Sequence, residues 1–392
     1  DAEFDLASLV ALGAQPARGA ARYLLETNGH LRRSLRNRYS RWASRISPAD
    51  GMVVGSDESL LDPLRQLLDR ERPTARSFSP TALQHFAACP YRFYLQALLR
   101  LRPRARPEPL ERMDALTRGA LFHEAQFELL TQLAKSRLLP MRERDIETLY
   151  NLADQTLDSV AGRFEEELAP AIPRVWASEL EGLRIDVRGW IRSVVSAAEP
   201  WRPEHFELAF GLDSGEHHDP ASTREDAVLT GGRRLRGSID MVEVSTDDHP
   251  AGPGRIRVTD HKTGRALPSR RHLLVRGGET LQPLLYALVA ERLLTDAERP
   301  RTVDGGRLSY CTRRGGYQTL DVRLDDEGRA AIDEVFTAVE TALGEGQLPA
   351  APNEGACTFC DYRMVCGPRE EARIQRKRPE QLTALHRLRR LP

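Results

Sequence analysis

"GRIRVTDHKTG", residues 254–264, alternates residue types with a period of two and ends on Lys262, a threonine and a glycine. That period belongs to a β-strand, so Asp260 and Lys262 share one side while His261 points to the other. Upstream, "RLRGSIDMVEV" (234–244) reads as a second strand carrying Asp240. The intervening "STDDHPAGPG" (245–254) is polar and turn-rich enough for a hairpin connection. Pairing the two strands brings Asp240 and Asp260 together with Lys262 beside them. Carboxylates that close repel one another unless a cation lies between them, and oxygen ligands of this kind suit Mg²⁺ or Mn²⁺. A cation held there polarises a phosphodiester and acidifies a bound water, while an adjacent ammonium steadies developing negative charge.

The lysine is unusual for this chain. Lysine and arginine total 57, and only Lys135, Lys262 and Lys377 are lysines. Arginine is permanently charged and forks its donors in a plane, whereas lysine is a compact charge whose pKa can be tuned to release a proton near neutral pH. Lys135 in "LAKSR" and Lys377 in "QRKRP" sit in polar settings and read as surface residues.

Around this hairpin, "EHFELAFGLD", "DAVLTGG", "GGRLSYCTRR" and "YQTLDVRL" read as further strands, and "GETLQPLLYALVAERLL" and "DEGRAAIDEVFTAVETAL" as helices. Residues 111–137, 142–170 and 174–198 carry the helical period, after one helix or two short ones in "RSFSPTALQHFAACPYRFYLQALLRL". The class is therefore α/β, a central mixed sheet flanked by helices with a large helical block ahead of it. Boundaries are expected at 1–75 for a lead-in from an upstream module and at 76–367 for the main domain. Within that domain lie a helical block (81–200), a core (201–345) and a closing cysteine cluster (357–366), followed by a basic tail (368–392).

With 392 residues, 40% of them hydrophobic, the chain can bury a substantial core. Its opening "DAEFDLASLVALG" lacks an initiator Met and the pattern of a signal peptide, so a piece of a longer chain is expected. No apolar stretch nears the ~20 residues of a membrane helix. Net charge is zero, which leaves local arginine clusters at 99–107, 312–316 and 373–392 as the places where phosphates could be held.

Four short segments in this order, "GALFH" (119–123), "GSID" (237–240), "DHKTG" (260–264) and "QPLLY" (282–286), resemble the PD-(D/E)XK nuclease superfamily, and within it the RecB/AddB-type nuclease domains. The resemblance implies a restriction-endonuclease-like core. It implies that Asp240 and Asp260 bind the metal with help from the main-chain carbonyl of His261, that Lys262 is catalytic, and that His123 lies close to the metal. Gln282 and Tyr286, four residues apart on one helix face, would match the family's QxxxY motif and touch a nucleic-acid strand. Glu207 in "FELAFG" can match an upstream acidic position of the family, its role left open.

Cys357, Cys360 and Cys366 supply three thiols within ten residues, and Cys89 in "CPYRF" is the natural fourth. One close pair, a third cysteine and a distant fourth suit an iron-sulfur cluster better than a zinc ribbon, with zinc or unligated thiols as the alternatives. The family resemblance implies a structural 4Fe-4S cluster at these four. Cys311 in "RLSYC" reads as a structural strand residue.

No GxxxxGK[ST] loop occurs, so any ATP-driven unwinding must come from elsewhere, and "HEAQF" lacks the second histidine of HExxH. The expectation is a metal-dependent DNA nuclease in the bacterial cytoplasm, cutting single strands beside a helicase partner during repair of broken DNA ends. Its alternatives are a non-catalytic DNA-binding scaffold and a free-standing CRISPR-associated exonuclease.

Overall fold

The computed structural model of the chain describes residues 15–52, 58–104, 110–213, 218–246, 254–267, 273–295, 301–366 and 369–392. The opening "DAEFDLASLVALG", the middle of the 245–254 connection and Arg106 in the first arginine cluster lie outside them. The chain divides into two compact units. One gathers the described residues of Asp1–Glu71 with His85–Leu101 and Glu340–Arg387; the other holds Arg72–Gln84, Arg102–Val339 and Leu388–Pro392. The lead-in and the cysteine segment, read from the sequence as opposite ends of the chain, thus belong to one unit.

The second unit is built on a five-stranded mixed sheet. Its strands are β1 (Trp201–Phe210), β4 (Gly237–Ser245), β5 (Gly254–Lys262), β6 (Arg301–Tyr310) and β7 (Thr319–Arg323), in the order β1-β4-β5-β6-β7. Only β5 and β6 run parallel. The stretch "DAVLTGG" yields just β2 (Ala227–Val228), which pairs with β3 (Arg234–Leu235). Gly231 and Gly232 both take positive φ and turn the chain before a longer strand can form.

Three long helices precede the sheet: α1 (Ala115–Lys135), α2 (Ile146–Leu168) and α3 (Pro173–Ala197). Asp114 caps α1 by accepting from the Thr117 N–H at 2.7 Å. Leu121, Leu129, Leu149, Leu157, Trp176 and Trp190 form their shared core, which continues onto the sheet through Phe206 and Met241. On the other face lies α4 (Gln282–Leu294), whose Leu284, Leu285, Ala287, Val289 and Ala290 are all buried while its last turn, with Arg292 and Leu293, is exposed. A Cβ on Gly306 would fall 2.2 Å from the Pro283 carbonyl oxygen, so glycine there lets α4 approach β6 closely.

The face toward α3 carries a charged network rather than plain apolar packing. Arg257 binds Glu243 through two nitrogens (2.9 and 2.8 Å) and Glu199 through a third (2.7 Å). Arg307 likewise spans Glu199 and Asp321.

In the first unit, Lys377 departs from its reading as a surface lysine. It is 6% exposed, lies 2.8 Å from Asp50 and donates to the Arg45 carbonyl. The basic tail is likewise built into the fold: Arg373 is buried, and in the second unit the Pro392 carbonyl accepts from Leu274, Val275 and Arg276. Lys135 is exposed, as its setting indicates.

Candidate active site

Antiparallel register sets Met241 opposite Thr259 and Val242 opposite Val258. One step further along, Asp240 faces Asp260, both on the side of the sheet toward α4. The His261 N–H donates to Asp240 Oδ2 at 2.7 Å, which locks the two strand ends together at the acids. Lys262 Nζ lies 2.6 Å from Asp260 Oδ2. The contact is a close ion pair, and that buried oxygen has no other hydrogen-bond partner among the described residues.

Two more groups converge from other elements. His123, on α1, brings Nδ1 to 3.6 Å from Asp240 Oδ2. Glu207, within β1, sits at φ +48°, in the left-handed region that a strand residue other than glycine rarely enters. Its carboxylate accepts from Ser238 Oγ at 2.8 Å. Ligand atoms of His123, Glu207 and Asp240 all lie within 4.8 Å of one another. Backbone strain at an acidic residue aimed into such a cluster is the kind of outlier that accompanies function.

The electrostatics follow from three carboxylates around one ammonium. Burial, then Asp260 and Glu207, pushes Asp240 well above the usual carboxylate range. Burial works to lower Lys262, but the pull of Asp260 outweighs it and the net shift is upward. A proton released by this lysine near neutral pH, as the sequence suggested, is thereby disfavoured, and the group acts as a fixed positive charge. His123 is lowered by burial against the opposing pull of Glu207 and Asp260.

The His123 imidazole and the carboxylates of Glu207 and Asp240, with Asp260 facing Asp240 across the strand pair, make a donor set that fits a hard divalent cation such as Mg²⁺ or Mn²⁺. The His261 side chain takes no part. Its ring points to the opposite face, edge-on to Trp190 at 5.8 Å between centroids, and burial lowers it to about 3. Only the main chain of His261 meets the site.

Gln282 and Tyr286 share a face of α4, but they present different surfaces. Gln282 is half-buried and accepts from Gln84 Nε2 at 2.8 Å. Tyr286 is 9% exposed, edge-on to Phe210, and pushed well above its ordinary pKa by burial and then by Asp260, Asp240 and Glu207. Its ring is a wall of the acidic pocket rather than an open surface for a strand. Gln84 carried no signal in the sequence that would have marked it.

In the first unit, Cys89, Cys357, Cys360 and Cys366 line one pocket with Tyr91, Arg92, Tyr362 and Glu370. No cysteine of the chain is in a disulfide. Burial first, and then Glu370 and the neighbouring thiols, pushes Cys357 up to about 11. Cys366 goes up to about 12, through burial and then Cys89, Glu370 and Cys360. Four soft donors around one pocket fit an iron-sulfur cluster, and zinc remains chemically compatible. Cys311 lies apart, fully buried, with its thiol raised to about 12 by burial.

Among known proteins, the chain is 27% identical over 258 residues to one subunit of the ATP-dependent helicase/deoxyribonuclease of Pelotomaculum thermopropionicum. That alignment covers 65% of this chain and 20% of the relative, so the chain spans about a fifth of its length. Residues 77–367, which hold the acidic cluster and all five cysteines, match the PD-(D/E)XK nuclease superfamily. The chain belongs to the PD-(D/E)XK nuclease superfamily.

Proposed function

We propose that this chain hydrolyses DNA phosphodiester bonds with Mg²⁺ or Mn²⁺. In this reading it acts as a single-strand exonuclease within a helicase-nuclease that processes double-strand breaks for recombinational repair. The observation that carries the reading is the convergence of Asp240, Asp260 and Lys262 on one face of the sheet, with His123 and Glu207 completing a cation-binding set. The name of the relative supports a deoxyribonuclease working with a helicase, and therefore DNA and a helicase as partners.

Asp240, Asp260, Glu207, His123 and the His261 carbonyl would hold the cation. Bound there, it would supply Lewis-acid polarisation of the phosphate and acidification of an attacking water. Lys262 keeps its positive charge and steadies the negative charge that builds on the phosphate oxygens. The His261 N–H fixes Asp240 in place, and Tyr286 closes the pocket against water. Gln282 orients the strand from the half-buried end of α4. Cys89, Cys357, Cys360 and Cys366 would hold a 4Fe-4S cluster that ties Cys89 to a segment 268 residues later, closing a very long loop.

The test is degradation of end-labelled single-stranded DNA with Mg²⁺ or Mn²⁺, comparing the parent with Lys262→Ala at matched iron content. Loss of one charge-stabilising group at such a site lowers turnover by about 10²–10³. The reading fails if the parent binds DNA yet leaves it intact with either cation, or if Lys262→Ala cuts at the parent rate.

A further inference from the structure

Asp186 is a carboxylate that neither the acidic cluster nor the sheet network uses. It sits on α3, is 5% exposed, and takes two arginines at once. Oδ2 accepts from Arg118 Nη2 at 2.7 Å, and Oδ1 accepts from the Arg313 main-chain N–H at 3.0 Å, with Arg313 Nε at 3.4 Å. One buried acid thus fixes two guanidinium groups, leaving the trio with an excess positive charge. The two terminal nitrogens of Arg313 make no hydrogen bond among the described residues, and its side chain is 59% exposed.

The trio stands beside the catalytic strand end. Thr312 Oγ1 donates to the Thr263 carbonyl at 3.1 Å, and the Cys311 N–H donates to the Lys262 carbonyl at 2.9 Å. The turn that carries Arg313 is therefore bonded to the residues flanking Lys262. It has little freedom: Thr312 Oγ1 accepts from the Gly315 N–H, and a Cβ on Gly315 would meet the Gly264 carbonyl at 2.9 Å. From the other side, Gly119 on α1 lies against Thr263, next to Arg118 and one helical turn from His123. Arg265 and Arg314 on the same two loops are exposed.

We infer that Arg118 and Arg313, set by Asp186, form a phosphate clamp that receives the backbone of the DNA strand next to the bond being cut. Arg118 is steadied on Nη2 by Asp186 and on Nη1 by the Glu179 carbonyl at 3.5 Å, while Arg313 keeps its terminal nitrogens toward solvent, and guanidinium groups aligned in this way are prepared for the planar, two-point recognition of phosphate. The occupant is the backbone of a single strand, which presents its phosphates in a row and meets arginine without regard to sequence. The inference rests on the nuclease reading for the identity of the polyanion. Asp186 is then a positioning residue, and the two arginines contact substrate.

The experiment measures binding of a labelled oligothymidylate by fluorescence anisotropy in chelator, across a series of NaCl concentrations. Each phosphate contact contributes about 0.7 to the slope of log K against log salt for single strands. Arg313→Ala and Arg118→Ala are each expected to reduce the slope by about 0.7, and Arg313→Lys to keep it. Arg163→Ala, on α2 and paired with Glu124 and Glu128, is expected to leave it unchanged. A merely structural role would lower affinity with the slope intact. Unchanged slopes for both alanine variants, in a parent that cuts DNA, overturn the clamp and leave the nuclease reading standing. A parent that neither binds nor cuts the oligonucleotide removes both.

Discussion

Replacing Lys377 with methionine keeps the stem and removes the charge, which isolates the buried pair with Asp50. The side chains are 2% and 8% exposed and meet at 2.8 Å. Without the ammonium, Asp50 keeps its bonds from the Ser47 N–H (2.9 Å) and Ser47 Oγ (2.8 Å) but remains a buried carboxylate with no counter-charge. Removing one partner of such a pair costs about 3–5 kcal/mol. The loss is local to hydrogen bonds that join residues 44–50 to two later segments: Arg378 N–H to Ser44 O and Ile46 N–H to Gln381 Oε1 for one, Ala350 N–H to Asp50 O for the other. Hydrogen exchange read by mass spectrometry should therefore show protection of residues 44–50 and 374–381 falling by roughly 10² to several times 10³, at about 1.4 kcal/mol per tenfold. Adding Asp50→Asn should recover most of it, leaving a residue of about 1 kcal/mol for the lost bond to Arg45 O. Protection within about threefold of the parent in Lys377→Met would refute the reasoning and return Lys377 to the surface role its sequence setting suggested.

Two further outcomes follow from the sites. Asp240 has a raised pKa in the folded protein, so the unfolded chain ionises first and stability declines as pH rises from the ordinary aspartate value of about 3.9 toward the folded one. Asp240→Asn removes that cost: in chelator at neutral pH it should melt above the parent while cutting less, and a lower melting temperature would show that the carboxylates do not oppose one another as their placement requires. At the cysteine pocket, Cys89→Ser should purify with much less iron and sulfide than the parent, by elemental and colorimetric assay, and with faster proteolysis around Arg41, whose guanidinium donates to the Cys366 carbonyl at 2.5 Å. Iron content equal to that of the parent would exclude Cys89 as a ligand.

The hairpin of β4 and β5 was legible because a period of two and one turn-rich connection are local facts. Asp240, Asp260 and Lys262 could be placed on one face without knowing what covered it. The three long helices were legible for the same reason, at a period of 3.6. Glu207 was harder: its part depends on φ +48° in mid-strand, which no residue pattern announces. Spacing put Tyr286 on the correct helix face but could not say that Phe210 and the carboxylates would enclose it. Lys377 misled because its neighbours are polar while its partner lies more than three hundred residues earlier. Asp186 was invisible on its helix, since both of its arginines come from other elements.

Why lysine stands at Lys262, in a chain that otherwise prefers arginine, has a structural answer. Where this protein buries arginine on the same sheet, the fork consumes carboxylates: Arg257 engages Glu243 and Glu199, and Arg307 engages Glu199 and Asp321, each through three nitrogens. A guanidinium beside Asp260 would bind both of its oxygens in that manner and seal them. The ammonium of Lys262 meets one oxygen, Oδ2 at 2.6 Å, and leaves the rest of the carboxylate able to accept another ligand. Lys377 meets a single carboxylate in the same economical way, but there Ser47 occupies Asp50, and the pair is closed. The difference between these two lysines lies in what else the aspartate holds: Asp50 also takes the Ser47 N–H and hydroxyl and serves the fold, whereas Asp260 has only Lys262 on Oδ2 and faces Asp240 across the strand pair, beside the cluster of His123, Glu207 and Asp240.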